Sequence, residues 1–166
     1  MSCRRIVFLD VDGVVNSEQY YVKTKGRAGD FDPEAIKLLN QLESVGAEIV
    51  ISSSWDDDAI QPLKAVGLTL PITGCTKKLH YKFDWACRGN EIDFWLTQTF
   101  GGIGTKYGDN WRGTPGVERD YEYVIFDDDA DMLLGQADNF IRTDRMTGIT
   151  QADIDKAIKI LNREEL

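Results

Sequence analysis

The run Phe8-Leu9-Asp10-Val11-Asp12-Gly13 sets two carboxylates one residue apart, directly after an apolar stretch. Such a pair can do phosphoryl chemistry. An aspartate held near a divalent cation can attack phosphorus and form an aspartyl-phosphate. A second carboxylate two residues on can protonate the leaving oxygen and later take a proton from water. Gly13 permits the tight turn that aims both acids at one place. Two further polar clusters also follow apolar runs. Ser52, Ser53 and Ser54 come after AEIVI, residues 47–51, and Asp127, Asp128 and Asp129, with Asp131 just beyond, come after EYVIF, residues 122–126. An isolated Asp-x-Asp-Gly is often only a surface turn. A packed acidic run, however, repels itself unless a cation compensates it.

The elements that must position these groups can be read from pattern. RIVFL, residues 5–9, is apolar on both faces and predicts a buried parallel strand. Residues 16–31 have no clean period and predict a loop or short hairpin flap. Asp32 as N-cap, Pro33 at N1, and Ile36, Leu39, Leu42 and Val45 at helical spacing predict a helix closed by Gly46. Residues 47–51 form a second buried strand. Residues 57–66 predict a helix, with Pro62 as a break or kink. Leu68 to Ile72 predict a third strand, weakened by Pro71. Residues 88–99 predict a helix with Ile92, Trp95 and Leu96 on one face. Residues 101–120 hold six glycines and Pro115 and predict a long loop. Strands follow over 122–126 and 139–143. Thr150 and Asp153 then open a final helix bearing Ile154, Ala157, Ile158 and Leu161. Alternating strands and helices imply a parallel sheet covered on both faces, with ligands beyond the carboxyl ends of the strands. The three polar clusters therefore converge.

The 166 residues suit one domain spanning 1–166. With 28 acidic and 19 basic residues the net charge is −9, which gives no global attraction to nucleic acid or anionic membrane, although a local basic groove remains open. No apolar run approaches about 18 residues, so no membrane span is expected. The three cysteines, Cys3, Cys75 and Cys87, are too few and odd for a disulfide framework and fit a reducing cytoplasm. Cys75, His80 and Cys87 match no common zinc spacing.

FLDVDGVVN resembles the first motif of haloacid dehalogenase (HAD) superfamily phosphatases, a strand followed by Asp-x-Asp-Gly. The family's other motifs have counterparts in order. EIVIS places Ser52, in preference to Ser53, at a strand end. CRGNEI offers Arg88 as the basic residue, with Lys77 and Lys78 as rivals. YVIFDDDAD supplies Asp127 and Asp128. The resemblance implies a three-layer Rossmann-like α/β fold with a minimal cap. It also implies a role for each matched residue. Asp10 is then the nucleophile and a metal ligand, and Asp12 the general acid and base, with its backbone carbonyl on the metal. Ser52 binds a phosphoryl oxygen, Arg88 neutralises phosphate, and Asp127 and Asp128 hold Mg²⁺. A hard cation with carboxylate and water ligands suits Mg²⁺. Asp12 argues against dehalogenation, whose branch lacks this second acid.

VFLDVDGVVN, VISSSW, RGNEI and VIFDDDADM look most like small members linked to RNA-repair proteins. An open site admits a polymer end, whereas small-metabolite enzymes usually close over their substrate. The expected substrate is thus a phosphomonoester, with a nucleic-acid 3′-phosphate end as one reading. A nucleotide, sugar phosphate or phosphoprotein is another, and a non-catalytic binding module of the same fold a third. Tyr20, Tyr21, Lys23, Lys25 and Arg27 form a basic-aromatic segment beside the first motif. Lys106, Trp111 and Arg112 form a second. Such mixtures can stack bases and meet phosphates.

Overall fold

The structure, a computed structural model, describes residues 3–26, 30–100 and 121–163. Its centre is β1 (Arg4–Leu9), where Ile6, Val7, Phe8 and Leu9 are fully buried. β1 pairs in parallel with β2 (Ala47–Ile51) on one side and β4 (Tyr121–Asp127) on the other. β3 (Ile72–Cys75) and β5 (Phe140–Arg142) complete an all-parallel sheet of order β3-β2-β1-β4-β5.

Strand alternation sorts the core into two layers. Val7, Leu9, Ile49, Ile51, Val124 and Phe126 face α2 (Pro33–Asn40) and α5 (Gln151–Asn162), meeting Ile36, Leu39, Ile154 and Leu161. Ile6, Phe8, Val50 and Ile125 face α4 (Arg88–Phe100), meeting Ile92, Leu96 and Trp95. Each such side chain contributes about 1.5–3 kcal/mol on full burial, so the sheet is held from both faces and its strand ends are rigid.

The cap signals act as read. Asp32 accepts the Glu34 N–H, and Thr150 and Asp153 form a reciprocal capping box. α2 tightens into a 3₁₀ turn over Gln41–Val45 and ends at Gly46 with φ +67°. Three expectations need correction. Residues 16–31 contain a helix, α1 (Glu18–Thr24), opened by the Ser17 hydroxyl accepting the Tyr20 N–H. α1 buries no residue, so it leaves no apolar period to read. Backbone bonds from Glu18 and Gln19 to Arg145 and Met146 carbonyls fasten it instead. The third strand starts at Ile72, past the expected 68–72. Pro71 cannot donate, though its carbonyl accepts the Ile49 N–H, while Leu68 and Leu70 fill the core from a loop. Pro62 does not kink a helix over 57–66. A 3₁₀ turn, Asp56–Ala59, precedes α3 (Ile60–Ala65), and Pro62 falls in the first turn of α3, where no N–H is needed. The segment bearing Lys106, Trp111 and Arg112 lies outside the described residues, as does Arg27. No helix among the described residues is long and apolar enough to cross a membrane.

Candidate active site

The sheet's hydrogen-bond ladder continues one step beyond its strands. Asp10 donates its N–H to the Phe126 carbonyl at 3.0 Å, Ser52 to Leu9 at 2.8 Å, Thr76 to Ile51 at 2.8 Å, and Thr143 to Asp127 at 3.0 Å. The residues just past the strands therefore share one fixed edge. Alternation carried into this row sends Asp10, Ser52 and Asp127 to the α4 face, and Arg88 is the first residue of α4.

Carboxylate oxygens of Asp10, Asp127 and Asp128 lie within 4.8 Å of one another. Asp10 is 9% exposed and Asp127 3%. Burial pushes Asp10 up to about 6, against hydrogen bonds from Ser53 and the Val11 backbone and the charge of Arg88. Burial pushes Asp127 to about 8, and the charge of Asp10 adds to it. Burial and then Asp129 raise Asp128 as well. Three acids that resist ionising together form a hard-oxygen donor set suited to a divalent cation. Gly13 makes this packing possible. Its φ is +74°, and a Cβ there would stand 2.5 Å from the Asp128 Cγ.

Asp12 stands apart from this trio. Its Oδ1 accepts from Asn16 Nδ2 at 2.6 Å and its Oδ2 from Trp55 Nε1 at 2.9 Å. Trp55 is fixed in turn by an edge-on contact with Phe31. The two serines also separate. Ser53 hydrogen-bonds Asp10, whereas the Ser52 hydroxyl, 1% exposed, finds no partner among the described residues.

Of the three basic candidates, Arg88 reaches the acids, its Nε lying 3.8 Å from Asp127 Oδ2. Lys78 is tied to the Asp56 carboxylate and the Ser54 carbonyl, and Lys77 lies over the Phe94 ring. Asp131 accepts the Arg88 N–H at 3.0 Å, so the acidic run also serves the start of α4. Pattern reading passed over Glu91, although its i+3 spacing from Arg88 was the available signal. Glu91 is 1% exposed and accepts from Arg88 Nη1 at 3.0 Å and from the Leu79 N–H at 2.8 Å, with His80 Nδ1 at 2.9 Å. Trp55 carried no signal in the pattern. The cysteines are free thiols. Cys75 is pushed up to about 12, by burial first and then by its hydrogen bond to Asp57, so it stays protonated and is a poor metal ligand.

A five-stranded parallel sheet whose central strand runs into Asp-x-Asp-Gly, with paired acids after the adjacent strand, defines a HAD-like domain. The chain belongs to the family described as "HAD domain in Swiss Army Knife RNA repair proteins", whose model matches residues 6–154. Membership implies a hydrolase of the phosphatase type. No curated protein matches the chain.

Proposed function

We propose that this chain is a Mg²⁺-dependent phosphomonoesterase working through an aspartyl-phosphate, and that its substrates are phosphorylated nucleic-acid ends. One observation carries the chemistry: Asp10, at the end of the central strand, shares a 4.8 Å cluster with Asp127 and Asp128. Those three side chains fit the cation, with the Asp12 backbone carbonyl as the further ligand the family pattern implies. Bound there, Mg²⁺ supplies the positive charge that keeps the acids ionised and offsets the charge of the phosphoryl group.

Asp10 forms a bond to phosphorus as the ester P–O bond breaks, and Asp12 gives its proton to the departing oxygen. Asp12 then takes a proton from the water that attacks the aspartyl-phosphate, releasing phosphate and restoring Asp10. Asn16 and Trp55 orient Asp12 for both transfers. A buried hydroxyl without a partner costs about 1–3 kcal/mol, and a phosphoryl oxygen relieves that cost at Ser52. Arg88, fixed by Glu91, neutralises the same group from the α4 side.

For the substrate, the support is the family's description as a domain of RNA repair proteins, together with the small structure around the site. Among the described residues, α1 is the one element between the first motif and α2, and no large cap is seen over the strand ends. The test is Asp10→Asn, with wild type as control, on a 3′-phosphorylated oligonucleotide and an aryl phosphate. The amide is nearly isosteric but a poor nucleophile, and turnover of both substrates should vanish with the melting transition retained. Undiminished activity in the variant refutes the mechanism. Activity of the wild type on the aryl phosphate alone refutes the substrate.

A further inference from the structure

Between β3 and α4 the chain exposes aromatic surface that neither core uses. Tyr81 is 77% exposed, Phe83 45% and Trp85 73%. The Phe83 and Trp85 rings lie 5.4 Å apart, and His80 and Tyr81 4.3 Å apart. The segment is nonetheless ordered. Lys82 and Phe83 donate backbone bonds to Leu79, and Ala86 donates to Phe83. Buried Glu91 then holds Leu79 and His80 from below. Presenting three rings to water on an anchored scaffold wastes burial, unless a flat apolar partner covers them.

The charge around these rings states what that partner is. Residues 77–88 hold four cations, Lys77, Lys78, Lys82 and Arg88, and one acid, Asp84, in a chain whose net charge is −9. Asp56 engages Lys78, and Glu91 and Asp127 engage Arg88, which leaves Lys77 and Lys82 as the exposed cations of the segment. Lys82 is exposed, and Lys78 Nζ lies 6.0 Å from the centre of the Tyr81 ring. Exposed rings beside an exposed lysine, Lys82 between Tyr81 and Phe83, suit a strand that carries both bases and phosphates. The position also fits. The segment leaves the sheet beside Ser52, where Thr76 bonds Ile51, and ends at Arg88. Three residues of chain, at most about 10 Å, separate Trp85 from Arg88.

We propose that Tyr81, Phe83 and Trp85 form a stacking platform for the bases next to the phosphorylated end of a single-stranded polynucleotide, with Lys82 on its backbone. The proposal rests on the nucleic-acid reading of the site and gives that reading a surface. Aryl phosphates and mononucleotides are too short to use it.

The experiment compares wild type with Tyr81→Ala/Trp85→Ala, whose exposed side chains can be removed without opening a core. Fluorescence anisotropy measures binding of an unphosphorylated single-stranded RNA and of its DNA counterpart. Steady-state kinetics with Mg²⁺ give kcat/KM for the 3′-phosphorylated oligonucleotide relative to an aryl phosphate. Stacking on each ring corresponds to roughly 5- to 150-fold in affinity. The variant should therefore bind both oligonucleotides at least roughly tenfold more weakly and lose the oligonucleotide-to-aryl ratio through KM. Lys82→Gln should flatten the salt dependence of binding. Equal binding by wild type and the double variant overturns the platform, even with phosphatase activity intact, and leaves these rings to a protein partner. Weakened oligonucleotide binding in a chain that hydrolyses no phosphomonoester upholds the platform and refutes the proposed activity instead.

Discussion

Raising the pH of the metal-free protein should destabilise it, and Asp127 should be the main reason. Its carboxyl is pushed up to about 8 by burial and by the neighbouring Asp10. The folded state therefore holds a proton that the unfolded chain releases near the ordinary aspartate value of 3.8. For an acid raised in this way, the contribution to stability is complete below about pH 4 and is lost as pH climbs toward about 8. The loss runs at about 1.4 kcal/mol for each pH unit over which only the folded state keeps the proton. From about pH 5 to about pH 8, Asp127 accounts for roughly 3.5 kcal/mol. Asp10, raised to about 6, acts in the same direction over a narrower range. Part of its effect is the same mutual repulsion, so the pair together amounts to about 4 kcal/mol.

For a chain of this length that is a fall in Tm of roughly 10 °C. The assay is thermal denaturation with chelator at several pH values, for wild type and Asp127→Asn. The variant cannot ionise at this position, so its Tm should decline far less and should exceed that of wild type at about pH 8. Millimolar Mg²⁺ at constant ionic strength should restore the wild type and not the variant. Saturation at a hundredfold over Kd is worth about 2.7 kcal/mol. A metal-free Tm that stays level across this range, or an equal slope in Asp127→Asn, would refute the coupling of the three acids.

Asp12→Asn should lower turnover by about 10²–10⁴, with aryl phosphates least affected, because their leaving group needs little protonation; equal losses for aryl and alkyl esters in pre-steady-state phosphorylation would remove the acid role. Gly13→Ala forces a Cβ against Asp128 at a φ of +74°, so it should cost more than about 1 kcal/mol in denaturant melts and weaken Mg²⁺ binding measured by calorimetry. Glu91→Ala should destabilise by about 3–5 kcal/mol, since it leaves buried charge uncompensated. Glu91→Gln should keep much of that stability yet raise KM through a less firmly placed Arg88, and an unchanged KM would count against that placement.

Groups that follow a buried strand were legible because their place depends on one rule. RIVFL, AEIVI and EYVIF are apolar on both faces, and only a central parallel strand satisfies that, so Asp10, Ser52 and Asp127 had to share an edge. The strong caps at Asp32 and Thr150 were legible for a similar reason, since each acts within a few residues of itself. α1 was not, because a helix that buries nothing prints no period. Nor was the start of β3, where the choice between Leu68 and Ile72 depends on which backbone groups β2 leaves free. Trp55 shows the remaining limit. It acts on Asp12, a group supplied by a different part of the chain, and composition and spacing do not record such a meeting.

That limit has a physical consequence for how this site is built. The acids sit on the sheet edge, whose geometry is set by β1 and β4. Their counter-charge arrives on α4, which is docked by different contacts. Gly89 brings α4 so close to the segment after β4 that a Cβ would stand 2.5 Å from the Leu133 nitrogen, and Gln136 bridges the two through the Gly89 carbonyl. Asp131, at the tail of the acidic run, accepts the N–H of Arg88, and Glu91 one turn later holds its guanidinium. The position of Arg88 is thus set twice, once through its backbone by Asp131 and once through its side chain by Glu91. Phosphoryl transfer depends on positioned charge more than on covalent machinery. A docking error at Gly89 would therefore reach Asp10 as a misplaced cation, with the strands themselves undisturbed.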